Sequence, residues 1–147
     1  MSERAFNVLF LCTGNSARSI LAEAILNNRG NGRFKGFSAG SRPKGEVHPL
    51  ALALLGDKGL PVTGLASKSW DVFAAAGAPR MDHIITVCDN AAAEACPVWP
   101  GRPGRPASAH WGLPDPAAVH GSDGERRRAF EQTYEALGRR IAEFVGQ

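Results

Sequence analysis

Cys12 and Arg18 close the two ends of the run Cys12-Thr-Gly-Asn-Ser-Ala-Arg18-Ser19, and that spacing has a chemistry. A loop of five intervening residues can wrap a tetrahedral anion with successive backbone N–H groups turned inward, while the guanidinium returns to grip two of its oxygens. The positive end of a following helix would add to the same field. That field also favours a thiolate at Cys12, which lowers the thiol pKa and makes the sulfur a nucleophile at neutral pH. Gly14 lets the backbone curl, and the hydroxyls of Ser16 and Ser19 can donate to anion or thiolate. The candidate cradle is therefore Thr13, Gly14, Asn15, Ser16, Ala17, Arg18 and Ser19, with Cys12 as nucleophile. Taken alone, such a spacing recurs by chance, and Cys12 could equally be an inert strand-end thiol with Arg18 on a helix surface. What precedes and follows the loop decides between these readings.

Two more cysteines and one acid are candidates for the same chemistry. Cys88 ends an apolar run, and Cys96 follows it across the small-residue segment Asp89-Asn-Ala-Ala-Ala-Glu-Ala95. The pair with Cys12 makes neither a disulfide framework nor a zinc pattern, which leaves inert core thiols or redox and nucleophilic roles. Thiol exchange needs a mobile attacking thiol, and a short segment of low bulk between two cysteines can unwind and rebuild. Asp115-Pro116 sits on a polar loop, where proline fixes the backbone and the carboxylate could protonate a leaving oxygen. Many Asp-Pro pairs are only turns, so the acid role stays open on the residues alone.

The elements around these residues place them together. Asn7 to Leu11 reads as a strand buried on both faces, and the text from Ser19 is rich in helix formers until the Asn/Gly cluster at 27 to 32. The loop thus lies between a strand and a helix. Phe34 to Ala39 is a second strand, and Pro49 to Lys58 a helix with proline in its first turn and Gly59 past its end. Asp82 to Cys88 is a third, β-branched strand, and the Pro/Gly-rich stretch Pro97 to Pro106 is irregular. Ala107 to Trp111 is a short last strand. Ser122-Asp-Gly-Glu125 has capping-box spacing ahead of a helix with apolar Phe130, Tyr134, Leu137, Ile141 and Phe144. Alternating strands and helices predict an α/β fold, a three-layer sandwich around a central parallel sheet of about four strands. Ligands bind such sheets beyond the carboxyl ends of the strands, which is where Cys12, Cys88 and the segment after Trp111 would lie.

Bulk properties narrow the class. A chain of 147 residues fits a single catalytic domain over 1–147. A formal charge of +3 is mild, and Arg126, Arg127 and Arg128 read as a solvated helix face, so the expected partner is a small anion and not nucleic acid. No apolar run is long enough to cross a bilayer and the first residues show no signal-peptide pattern, so no membrane partner and a cytoplasmic location are expected.

The stretch Val8-Leu-Phe-Leu-Cys-Thr-Gly-Asn-Ser-Ala-Arg-Ser19, followed by Ala22-Glu23-Ala24, closely resembles arsenate reductases built on the low-molecular-weight tyrosine phosphatase fold. The resemblance continues in order through Ser38-Ala39-Gly40, Thr86-Val-Cys-Asp-Asn90, Cys96-Pro97, His110-Trp111 and Asp115-Pro116. It implies arsenate as substrate, phosphate as its mimic, Cys12 as nucleophile, Arg18 as clamp and Asp115 as general acid. In the thioredoxin-coupled members it also implies that Cys88 and Cys96 resolve the covalent adduct in turn, so that thioredoxin or another thiol reductant is a partner. His110 and Trp111 are expected to pack beside the site. No organic cofactor is implied. Asn15, Glu23 and Ser38 match positions that in some relatives support the loop or bind potassium, which makes a potassium ion the one candidate cofactor; Glu23 alone reads equally well as an exposed helical residue. Asp71 cannot be aligned to that site. One departure concerns the relay, because seven residues separate Cys88 from Cys96, one more than in the best-known members. The alternative activity is that of a low-molecular-weight tyrosine phosphatase, which the same nucleophile, arginine and acid would serve. Against it, Ala17 stands where those phosphatases carry a second cysteine and Ala117 where they carry an aromatic residue after Asp-Pro.

Overall fold

The computed structural model describes residues 6–12, 14–30, 33–40, 42–62, 64–74, 81–87, 107–111, 116 and 119–146. Four strands, β1 (Phe6–Leu11), β2 (Phe34–Ala39), β3 (His83–Thr86) and β4 (Ala107–His110), form one parallel sheet in the order β2-β1-β3-β4. The helices among the described residues are α1 (Arg18–Arg29), α2 (Pro49–Asp57), α3 (Asp71–Ala74) and α4 (Asp123–Val145). The parallel sheet of four strands with helices is the predicted architecture.

β1 is central because its sequence suits burial on both faces. Val8, Leu9, Phe10 and Leu11 are all buried, between β2 on one side and β3 on the other. Side-chain alternation assigns the two faces of the sheet. Ser38 donates its hydroxyl to Glu23 of α1, and a Cβ on Gly36 would stand 3.0 Å from the Glu23 carbonyl oxygen, so the even positions of β2 face α1. Phe37 points the other way, onto Phe73 of α3 at 5.6 Å between ring centroids. The first face is closed by α4, whose Phe144 packs on Phe34, His83 and Trp111, and whose Phe130, Leu137 and Ile141 are buried. Helices on both faces of the sheet give three layers.

Two capping signals read from the sequence are in place. Ser122 accepts the Glu125 N–H through its hydroxyl oxygen at 3.2 Å, and Pro49 opens α2 behind His48, whose Nδ1 accepts the Leu50 N–H at 3.1 Å. Of the arginine run, Arg127 lies on the solvated face and pairs with Asp57 at 2.6 Å.

The differences from the sequence reading are local. β3 begins at His83, one residue later than expected, Asp82 being used otherwise with its Oδ2 accepting the Asn7 N–H at 2.8 Å, while the expected end at Cys88 lies outside the described residues. α1 starts one residue early, at Arg18, and α3 was not anticipated, being a single turn without apolar periodicity. Trp111 follows β4 instead of ending it, and is buried against Phe10 at 6.0 Å. The irregular stretch expected over 97–106 lies outside the described residues.

The carboxyl ends of the strands meet along one edge. Cys12 N–H reaches the Ala39 carbonyl at 3.2 Å, Val87 N–H the Leu11 carbonyl at 2.9 Å, and Trp111 N–H the Thr86 carbonyl at 2.7 Å. This is the edge at which a parallel sheet binds ligands.

Candidate oxyanion site at the end of strand β1

The chain leaves β1 at Cys12, which is buried, and enters α1 at Arg18, whose side chain is half-buried with its Nε removed from solvent. Between them the backbone turns sharply at Asn15, which adopts a left-handed conformation with φ of 45°. Asparagine tolerates that region better than other residues with a Cβ, because its side chain can satisfy nearby backbone groups. Here it does so fully enclosed: the Asn15 Oδ1 accepts the Lys68 N–H at 2.8 Å, and its Nδ2 donates to the Ser19 hydroxyl oxygen at 2.8 Å.

The loop's carbonyls are taken up from outside. Gly14 C=O accepts the Lys44 N–H at 3.0 Å and the Ser67 hydroxyl at 3.2 Å, and Ser16 C=O accepts the His48 N–H at 2.9 Å. In a trans peptide the C=O and the next residue's N–H point in opposite directions. The amides of Asn15 and Ala17 therefore turn away from these outer partners, toward the inside of the curl. The start of α1 adds to them, since its N-cap Ala17 offers no capping side chain and its first turn holds no acidic residue. Ser19 accepts from Asn15, which leaves its own hydroxyl proton for another acceptor. A cation also overhangs the loop: the Lys44 stem runs so close to Gly14 that a Cβ there would meet Cε at 3.2 Å. Inward amides, a helix N-terminus, Arg18 and a sulfur at the strand end together suit a tetrahedral anion approached by a thiolate.

Cys12, Gly14, Asn15, Ser16, Ala17, Arg18 and Ser19 thus lie together between the end of β1 and the start of α1. Thr13, Cys88, Cys96 and Asp115, with Ala117 beside it, lie outside the described residues. The residues expected at a potassium site also converge. Ser38, fully buried, donates its hydroxyl to Glu23 Oε1, and its carbonyl accepts from Lys68 Nζ at 3.0 Å. Burial raises the Glu23 pKa above the usual carboxylate value, against the opposing effects of the Ser38 hydrogen bond and the Lys68 charge. Burial lowers the Lys68 pKa, and the Glu23 charge opposes that shift. Lys44, His48, Ser67 and Lys68 were missed in the sequence, where no local pattern ties them to the loop; the structure shows that they clasp it.

The model of the family described as low molecular weight phosphotyrosine protein phosphatase matches residues 7–147. An arsenate reductase of Bacillus subtilis (strain 168) is 31% identical over 138 residues, 94% of this chain and 94% of its own length. Among solved structures, an arsenate reductase from Archaeoglobus fulgidus superimposes with a TM-score of 0.69 at 28% identity, over 95% of this chain and 99% of that one. Another, described as an arsenate reductase in the phosphate binding state, gives 0.70 at 25% identity over 96% and 97%.

Proposed function

We propose a thiolate mechanism for the Cys12–Arg18 loop on the premise that the chain belongs to the low molecular weight phosphotyrosine protein phosphatase family. Within that family it is an arsenate reductase, like the relatives it matches along nearly their whole length. The observation that carries the mechanism is the tethering of the Gly14 and Ser16 carbonyls to Lys44, Ser67 and His48, which turns the amides of Asn15 and Ala17 away from those partners and frees them to face an anion.

The reaction takes its nucleophile and clamp from that loop, and takes the roles of Cys88, Cys96 and Asp115 from the thioredoxin-coupled arsenate reductases that the sequence resembles. The Cys12 thiolate attacks arsenic held by the loop amides and Arg18; a sulfur–arsenic bond forms, an arsenic–oxygen bond breaks, and Asp115 supplies the proton with which that oxygen leaves as water. Cys88 then attacks the Cys12 sulfur. A disulfide forms, the sulfur–arsenic bond breaks, and its electron pair stays on arsenic, which departs as arsenite. Two thiols have lost the two electrons that arsenic(V) gains. Cys96 attacks Cys88 next, releasing Cys12 as thiolate and leaving a Cys88–Cys96 disulfide for an external dithiol of the thioredoxin class to reduce. The reducing cytoplasm is the compartment in which such a relay can be reset.

The phosphatase alternative uses the same nucleophile, arginine and acid but has no step for Cys88 or Cys96, so weak phosphatase activity is expected as a by-product of the shared loop. One variant separates the two reactions. Cys88→Ser should lose arsenate-dependent NADPH oxidation with thioredoxin and its reductase, yet still hydrolyse para-nitrophenyl phosphate through water and Asp115. Full thioredoxin-coupled turnover by Cys88→Ser would refute the relay.

A further inference from the structure

The three residues matched to a potassium site are tied to one residue, Lys68, through its ammonium, its charge and its backbone N–H. Lys68 Nζ donates to the Ser38 carbonyl at 3.0 Å and to the Ala66 carbonyl at 2.8 Å, while its backbone N–H holds Asn15 Oδ1 at 2.8 Å. The Ser38 hydroxyl in turn binds Glu23, whose carboxylate attracts the Lys68 charge. An alkylammonium and a potassium ion carry the same charge and both seek a ring of oxygens. Here the oxygens of Ser38, Asn15 and Glu23 are already engaged by Lys68 or by one another, and a second cation among them would face a like charge at short range in a partly buried setting. The donor set therefore does not fit a potassium ion.

We propose that Lys68 is a tethered cation in place of potassium: by joining Ser38 to the left-handed turn at Asn15, it positions the oxyanion loop. The proposal rests on the reading of residues 12–18 as an anion cradle. It acts through Asn15, since one residue delivers both the ammonium to Ser38, at the end of β2, and the backbone N–H that locks the Asn15 amide. The same amide holds Ser19 at the start of α1. Strand end, loop and helix start are thus linked through Lys68 and Asn15 without any exchangeable ion. Ions can still reach the neighbourhood, because a cavity of about 300 Å³ lined by Glu23, Asn27, Pro61 and Leu65 adjoins it, so the choice between lysine and a dissolved cation is open to experiment.

The test measures the thermal midpoint and the phosphate affinity by calorimetry in KCl and in NaCl at equal ionic strength. Wild type should give the same midpoint and affinity in both salts. Lys68→Met should bind phosphate about fivefold more weakly, in the range typical of coupling between linked sites, and Lys68→Arg should recover part of that loss by restoring the charge. A potassium-specific rise in the wild-type midpoint or affinity would overturn the proposal, and this needs no variant. So would a Lys68→Met protein that binds phosphate as tightly as wild type. Failure of wild type itself to bind phosphate would instead remove the cradle reading and the Lys68 role with it.

Discussion

At the scale of single residues, Cys12 and Arg18 carry different parts of the chemistry and should fail differently. Cys12→Ser should abolish both arsenate reduction and para-nitrophenyl phosphate hydrolysis, because a hydroxyl of high pKa cannot replace a thiolate; coupled assays with each substrate check this, and substantial turnover in either would remove Cys12 as nucleophile. Asn15 carries geometry. Replacing it by alanine leaves a Cβ-bearing residue at φ 45° without the amide that serves Lys68 and Ser19, which should cost about 2–4 kcal/mol in denaturant unfolding. Glu23 carries a pH dependence. Its folded pKa is raised, so its contribution to stability is fully present below the ordinary value of 4.5 and is lost as pH rises through the folded value. Lys68 is the converse, its contribution being complete above 10.5 and lost as pH falls through its lowered folded value. Because each charge opposes the other's shift, Lys68→Met should move the Glu23 titration further upward; carbon-13 NMR of the carboxyl reads it, and an unmoved midpoint would show that the two charges do not interact.

At the scale of elements, legibility followed locality. The β1–loop–α1 unit was readable because its whole signal lies within one stretch of chain: an apolar strand, a cysteine, a glycine, an arginine, then helix formers. The α4 cap at Ser122 was readable for the same reason. The clasp around the loop was not, since Ser67 and Lys68 reach Gly14 and Asn15 across 53 positions of sequence and no local pattern announces a contact at that range. Potassium was a candidate because Asn15, Glu23 and Ser38 could be matched to relatives one by one, whereas the Lys68 contacts with Asn15 and Ser38, on which the tethered-cation proposal rests, could be seen only in three dimensions. The union of β2 with α1 is similarly hidden in a single residue. Gly36 allows the helix backbone to approach the strand, and Gly36→Ala would place a Cβ 3.0 Å from a backbone oxygen that has no flexible end to yield. The substitution should lower stability by about 1–3 kcal/mol and show as a reduced midpoint of denaturant unfolding.

At the scale of the whole molecule, the sheet edge couples anion binding to folding, because the cradle is assembled only when β1, α1 and the segments at Lys44–His48 and Ser67–Lys68 are all in place. Phosphate at about a hundred times its dissociation constant should therefore add about 2.7 kcal/mol to stability, which for a domain near this size raises the melting midpoint by roughly 5–10 °C. Arg18→Lys should lose most of that shift, since an ammonium lacks the planar fork; a full phosphate shift in this variant, followed by scanning calorimetry, would count against the clamp. The outer clasp also sets a sequence of events during synthesis. Ribosomes release the amino-terminal part first, at about 5–20 residues per second, so Cys12 emerges several seconds before the lysine and serine 53 positions downstream of Asn15 and Gly14 exist. Until they do, the curl has only its Lys44 and His48 tethers, and the Asn15 amide oxygen lacks its Lys68 partner. The proposed cradle is thus finished by residues made well after its nucleophile, and the chemistry assigned to it waits on the completion of the fold that shelters it.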